Sequence, residues 1–216
     1  NWRFDLGYQL YHKNVSTFFQ QNNTKENFAY QELRNSFYGN LYWDHSKYGV
    51  RVGLRAENTH NTINDSITNE YTNYNPDIGV MYHLNQHNKV RLNFNSFISR
   101  PGFRQLKPFT YQEDPLTYYR GNPYLEPANQ NKISLDYTFR KNKLMIRPSV
   151  YYTDEFNLIG NERYFEDNLQ YTRDANIARG KAYGFQVNAS IPVLKQIKLN
   201  PHFHYYNQIF IHNDIK

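Results

Sequence analysis

The chain has 216 residues, no cysteine, and a formal charge of +6 from 25 Lys and Arg against 19 Asp and Glu. That length suits one all-β domain, and the missing thiols exclude a disulfide framework, a thiolate metal site and a cysteine nucleophile. No apolar run approaches the ~20 residues of a spanning helix, which excludes a helical membrane protein but not a barrel. Tyr (21) and Phe (15) are abundant for so hydrophilic a chain. Such a composition folds rather than staying disordered. Tyr also suits a membrane interface, where the ring is buried and the hydroxyl stays wet. The cations are scattered over the chain rather than gathered into a stripe, so no nucleic-acid partner is expected.

Nine strands are read from period-2 alternation. The first, Trp2 to Tyr11, sets Trp2, Phe4, Leu6, Tyr8 and Leu10 against Arg3, Asp5 and Gln9. The second, about Phe28 to Trp43, is clearest at its end, where Phe37, Leu41 and Trp43 share a face. The third, Tyr48 to Asn58, sets Val50, Val52, Leu54 and Ala56 against Arg51, Arg55 and Glu57. The fourth spans Asp77 to Leu84, and the fifth, Lys89 to Ser99, sets Val90, Leu92, Phe94 and Ile98 against Arg91, Asn93 and Asn95. The sixth covers Asn131 to Arg140, the seventh Lys143 to Thr153, the eighth Gly180 to Ile191 and the ninth Ile197 to Phe210. Pro148 lies inside the seventh and weakens it as a strand, because proline cannot donate to the ladder. Alternation of this kind places one face in an apolar medium and the other in water. Strands near ten residues long match an oblique bilayer crossing.

The connections alternate in length. Tight turns at Asp44 to Lys47, Asn85 to Lys89, Lys141 to Lys143 and Leu194 to Gln196 alternate with long polar stretches. These run from His12 to Asn27, Thr59 to Asn75, Pro101 to Asn129 and Glu155 to Asn176, and Glu162 to Asn176 has room for an extra hairpin. A soluble sandwich has no reason to keep its long loops at every second connection. A transmembrane barrel does, with short periplasmic turns and long extracellular loops. The expected fold is therefore an all-β, antiparallel, up-and-down transmembrane β-barrel. Single-chain bacterial barrels have even strand numbers, so about nine strands are part of a larger barrel. Residues 1–216 read as a single outer-membrane barrel region, incomplete at both ends, in the cell outer membrane.

Several stretches carry a family resemblance. The third strand ends Gly53-Leu54-Arg55-Ala56-Glu57-Asn58-Thr59. The fifth runs into Ser99-Arg100-Pro101-Gly102-Phe103 and then Leu106-Lys107-Pro108-Phe109, followed by Gly121-Asn122-Pro123-Tyr124-Leu125-Glu126-Pro127. This series resembles the barrel of TonB-dependent outer-membrane receptors, in the outer-membrane β-barrel family typical of Bacteroidota. The acidic residue that usually follows the last proline is replaced by Ala128. The resemblance covers about Phe28 to Tyr206. It implies a barrel of about twenty-two strands, a plug domain in the lumen, and uptake energised through TonB. No plug domain lies in this stretch. By resemblance the partners are the plug and the TonB system, and a surface lipoprotein or other outer-membrane subunits are compatible. Outer-membrane lipid would face the apolar side.

Arg51, Arg55, Glu57 and Arg91 fall on polar strand faces and are candidates to line the lumen. The simpler account is that a wet lumen is polar and its charges pair with one another. Arg100-Pro101 reads as a strand terminator. His202 and His204 share a face and join the lumen candidates, but two imidazoles without a third ligand do not make a zinc site. Asp154-Glu155 and Glu166-Asp167 are neighbours in sequence that point apart, so a solvated loop suits them better than paired-carboxylate chemistry. No nucleophile-and-base motif, phosphate loop or zinc-protease motif is present. No catalytic, cofactor or metal residue is therefore assigned, and an enzyme is not expected.

Three functions remain open. The first is the barrel of a TonB-dependent receptor that binds and imports a substrate, with Pro101 to Asn129 as the external contact loop. The second is a structural or adaptor barrel in an outer-membrane complex. The third is a soluble extracellular β-rich binding module.

Overall fold

Alternation of apolar and polar residues is carried into long strands whose two faces see different surroundings. The computed structural model describes residues 1–21, 24–194 and 196–212. Twelve strands form one sheet: β1 (Trp2–Gln21), β2 (Thr24–Asp44), β3 (Tyr48–Ile63), β4 (Ile67–His83), β5 (Asn88–Ser99), β6 (Thr110–Asp114), β7 (Thr117–Arg120), β8 (Ala128–Lys141), β9 (Leu144–Glu166), β10 (Leu169–Pro192), β11 (Lys198–Leu199) and β12 (His202–His212). No helix occurs among the described residues, so none could cross a membrane. That observation does not bear on strands.

The wall runs β1-β2-β3-β4-β5-β8-β9-β10, with β12 beside β10, and each neighbouring pair is antiparallel. The nine strands read from the sequence fall on these nine, the last of them shared between β11 and β12. The expected up-and-down outer-membrane barrel architecture is present as an open sheet. Lys195 in the fourth tight turn, residues 22–23 in the first long connection and residues 213–216 lie outside the described residues.

Strand bounds differ from the sequence reading in one direction. Three of the four long polar stretches are not irregular loops. β1 and β2 stay in register from Trp2↔Trp43 to Gln21↔Thr24 and β3 and β4 up to Ile63↔Ile67, while β9 and β10 pair up to Glu166↔Leu169 through register shifts between Asn176 and Gly180. Above the membrane both faces of a hairpin meet water or protein, so apolar alternation fades while backbone pairing continues. The turns are built from residues that tolerate φ > 0: Asn64 (49°) and Asp65 (55°), then Asp167 (51°) and Asn168 (61°). The extra hairpin expected within Glu162 to Asn176 is thus the extended tip of β9 and β10.

Two prolines mark irregularities. Around Pro148 the β8–β9 pairing is interrupted between Asp136↔Ser149 and Phe139↔Ile146 and resumes in the same register. Pro201 separates β11 from β12, splitting the ninth expected strand.

The outer face of the wall is apolar and exposed, with Trp2, Phe4, Leu6, Leu54, Leu92 and Leu135 all on it. Its lower rim, beside the short turns, carries paired aromatics. Trp2 and Trp43 have ring centroids 5.8 Å apart, and Tyr48 and Tyr82 are 4.9 Å apart. Such a girdle belongs at the lipid–water interface. The opposite, concave face is polar.

Candidate functional site

Register stacks the inner face of β1 to β4 into rows. Gln9, Ser36, Glu57 and Asn73 form one, and the row above is Tyr11, Arg34, Thr59 and Tyr71. Next come Lys13, Glu32, Asn61 and Asn69, and then Val15, Tyr30, Ile63 and Ile67. Towards the extracellular end the wall therefore passes from charged to apolar. Sequence alternation alone could identify the faces but not these rows, which need the pairing register.

Glu57 anchors the charged row and is only 3% exposed. Arg55, two residues earlier on the same face, donates to Glu57 Oε2 at 2.9 Å, to Ser36 Oγ at 2.7 Å and to Gln9 Oε1 at 2.9 Å. Ser36 donates to Glu57 Oε2 at 2.8 Å, and Arg100 forms an ion pair with Glu57 Oε1. A second knot lies above it. Arg34 Nε is 2.7 Å from Glu32 Oε1, Tyr30 donates to Glu32 Oε2 at 2.9 Å, and the Arg34 guanidinium lies 3.9 Å from the centre of the Tyr11 ring. Burial pushes the Tyr30 phenol well above its ordinary range, and the neighbouring Glu32 carboxylate adds to it. Burial likewise pushes Tyr71 up to about 12.

The connection between β5 and β8 closes over these knots. Leu106 and Leu125 pack with Phe28, Tyr30 and Ile63 into the buried apolar cluster, with Val15, Ile67, Phe109 and Ile159 around it. Polar ties fix its C-terminal end. Asn69 donates to the Pro123 carbonyl at 2.8 Å, and Asn122 to the Asp174 carbonyl at 3.1 Å. Asn176 accepts from Glu126 N at 3.0 Å and donates to the Glu126 carbonyl at 3.0 Å. Within the connection β6 and β7 form a hairpin, and β7 runs parallel to the tip of β10 from Gln170↔Thr117 to Arg173↔Arg120. Tyr119 donates to Asp174 beneath this hairpin, and burial together with that bond raises the Tyr119 phenol. The Gly121-Asn122-Pro123 motif has a steric reason. A Cβ at Gly121 would run into the Lys107 carbonyl oxygen and lie 2.9 Å from that of Gln105.

The other residues singled out in the sequence lie on the same concave face. Arg51 pairs with Asp77 at 2.5 Å. Arg91 contacts Met81 Sδ at 3.5 Å and lines the wall near the short turns. His202 shares a 2.8 Å hydrogen bond with Asn188, and His204 one of 2.8 Å with Tyr151. Tyr206 stacks on His204 with centroids 5.2 Å apart. His204 and Tyr206 line a cleft of about 480 Å³ with Lys132 and Glu155. The structure brings Arg55 and Glu57 together, and Arg51 and Arg91 line one cleft of about 190 Å³, while the histidine pair stands apart from both. Among the described residues no group of three or more His, Asp or Glu gathers as a metal site. Arg100 does more than end a strand, since its guanidinium reaches Glu57. Glu32, Arg34, Tyr30, Tyr119 and Asp174 were not evident from the sequence, because their partners are set by register or by the closing loop.

An apolar exterior, a polar interior and hairpins that extend far on one side of the wall and stop short on the other match one architecture, and the family comparison agrees. The model of the outer membrane protein beta-barrel family matches residues 3–215.

The chain belongs to this family.

The outer-membrane β-barrel part of the resemblance read from the Gly53–Thr59 and Arg100–Pro127 stretches holds, and the place of this outer membrane protein is the cell outer membrane. No curated protein matches the sequence. Solved structures match by shape. The FrpB iron transporter from Neisseria meningitidis superposes with a TM-score of 0.64 at 12% identity, over 84% of this chain and 26% of its own. The ferric-catecholate import receptor Fiu from K12 E. coli gives 0.63 at 12%, over 87% and 29%. The siderophore receptor PirA from Pseudomonas aeruginosa gives 0.60 at 13%, over 94% and 51%. This member of the family therefore spans between about a quarter and a half of the length of those receptors. Its apolar outer wall and family membership set aside the soluble binding module.

Proposed function

We propose that this chain is wall and external closure of a TonB-dependent outer-membrane receptor that binds a substrate and admits it by energised uptake. One observation carries the reading: the Pro101–Asn129 connection folds inward across the lumen face instead of standing clear of it. A wall whose mouth is narrowed by a packed, hydrogen-bonded segment suits selective, gated entry better than open diffusion. Membership of the outer-membrane barrel family supports it. The import receptors of similar fold support it too, being named for iron, ferric-catecholate and siderophore. No catalytic step is assigned; a plug domain and the TonB system would complete the receptor, and a surface lipoprotein or other outer-membrane subunits are compatible partners.

The exposed side chains on the outer side of the closing segment, Phe103, Leu116 and Tyr124, would meet the substrate first. Uptake by cells carrying the full-length protein, with and without TonB, tests the reading. TonB-dependent accumulation of a ferric siderophore, copper complex, oligosaccharide or peptide, lost on replacing residues 110–120 with a Gly-Ser linker, is the expected result. Intact outer-membrane assembly with no TonB-dependent uptake across that panel would favour the structural or adaptor barrel.

A further inference from the structure

His202 and His204 gain a third donor once the sheet forms. Tyr151 of β9 and His204 of β12 lie on the two strands that flank β10, and register sets Gly184 of β10 opposite Tyr151 on one side and Tyr206 on the other. A Cβ at Gly184 would lie 2.6 Å from Tyr151 Oη and 2.7 Å from two carbons of its ring. The missing side chain lets the phenol cross the strand, and its Oη rests 2.8 Å from Nε2 of His204. Tyr206 stacks on the same imidazole with ring centres 5.2 Å apart and steadies its plane. The ring of His202 is centred 6.2 Å from that of His204. Its Nδ1 donates to Asn188 Oδ1 at 2.8 Å, which leaves Nε2 as the unprotonated nitrogen. A ring N–H held by an amide carbonyl is how metal-binding histidines are commonly oriented.

We infer that His202 Nε2, His204 Nε2 and Tyr151 Oη form a binding site for a cupric ion on the lumen wall. Spacing and donor type select the metal. Two donors each about 2.0 Å from a metal stand about 2.8 Å apart at a right angle and about 3.3 Å apart at a tetrahedral one. The Nε2–Oη separation therefore suits a tetragonal ion, with water completing the square. Imidazole nitrogen and anionic oxygen in that geometry favour Cu²⁺, which also heads the affinity order of the divalent metals, whereas zinc prefers a tetrahedron. On binding, Cu²⁺ takes the place of the phenol proton, which leaves to water, and both imidazoles bind neutral. Lys132, with Nζ 4.5 Å from the centre of the Tyr151 ring, favours the phenolate that results. Glu155 lines the same cleft and offsets the charge of Lys132 toward the incoming cation. The inference goes beyond the proposed uptake and does not depend on it, since it rests on side chains of the wall alone.

Copper titration of the full-length protein, washed with chelator in detergent, tests it by electron paramagnetic resonance and absorption. The expected complex shows splitting from two imidazole nitrogens and a phenolate-to-copper charge-transfer band. Tyr151→Phe should remove the band and keep the two-nitrogen signal. Gly184→Ala should do the same although it deletes no donor, because the new Cβ displaces the phenol. His202→Gln and His204→Gln should each weaken copper binding at least about tenfold. A heat-modifiability gel confirms that each variant forms a barrel, and Tyr151→Phe with His202→Gln serves if Gly184→Ala does not assemble. A hydrogen bond between Tyr151 and His204 that is only structural would produce no charge-transfer band. Absence of that band in the wild type overturns the inference, as does copper binding unchanged in both histidine variants, or zinc bound more tightly than copper.

Discussion

At the scale of single residues, Glu57 stands out because one buried carboxylate is shared by Arg55, Arg100 and Ser36. Removing one member of a buried ionic group leaves its partners uncompensated, which costs about 3–5 kcal/mol when burial is deep. Glu57→Ala is expected to lose about 3 kcal/mol of local stability, since Arg55 keeps partial access to water. The signature is faster trypsin cleavage after Arg104 in the intact, folded barrel. Cleavage unchanged from wild type would mean that Glu57 does not hold the closing segment. The buried phenols respond to alkali. Burial raises Tyr71 to about 12 and raises Tyr119 further in the same direction, against an ordinary value of about 10. Folding therefore favours their neutral forms. That contribution is complete below about pH 10 and is lost as pH rises through the folded values, towards about 12 for Tyr71. A titration of tyrosinate absorbance should show these phenols ionising late, with protease sensitivity of residues 101–129 rising over the same window. Release of the segment near pH 8 would contradict it.

At the scale of elements, the β5–β8 connection behaves as a packed piece of the wall. Leu106 is 2% exposed, at the centre of the cluster with Phe28 and Ile63. Leu106→Ala should destabilise the closure by about 2–5 kcal/mol through lost contacts and a cavity. Leu116→Ala, on an exposed tip, should cost less than about 0.5 kcal/mol. Hydrogen exchange of the 101–129 amides in detergent distinguishes the two, and equal protection in both variants would sink the packed-closure account. The wall strands were legible in the sequence because lipid on one face and water on the other impose a strict period of two, as in Trp2 to Leu10. Arg55 and Glu57 were legible as lumen residues for the same reason. The closing segment was not. Phe28, Tyr30, Ile63, Leu106 and Leu125 come from three distant stretches, and no local period announces a cluster assembled by loop closure. Strand lengths above the membrane were hidden too, because pairing there no longer needs an apolar face, as Asn58 shows by donating to Glu70 and Thr72 on the outer side.

At the scale of the whole molecule, the sheet works as a partition. Its outer rows are aliphatic and aromatic, its lower rim carries the Trp2–Trp43 and Tyr48–Tyr82 pairs, and its inner rows are charged. Which face meets lipid fixes the consequence of a charge. Leu54 of β3 lies outward, opposite Gly39 of β2 and Pro76 of β4, and Phe94 of β5 lies outward between Ile78 and Ile133. An arginine at either position would have to leave water for hydrocarbon, at about 2–4 kcal/mol at the bilayer midplane and less near its edges. The neighbouring inner positions carry no such cost, since Arg55 and Arg91 already stand in the wet interior. Leu54→Arg and Phe94→Arg are therefore expected to lower the assembled fraction on a heat-modifiability gel of outer membranes, whereas Asn93→Arg, one residue away on the opposite face, should assemble close to normally. If the outward arginines assemble as well as the inward one, the two faces have been assigned the wrong way round.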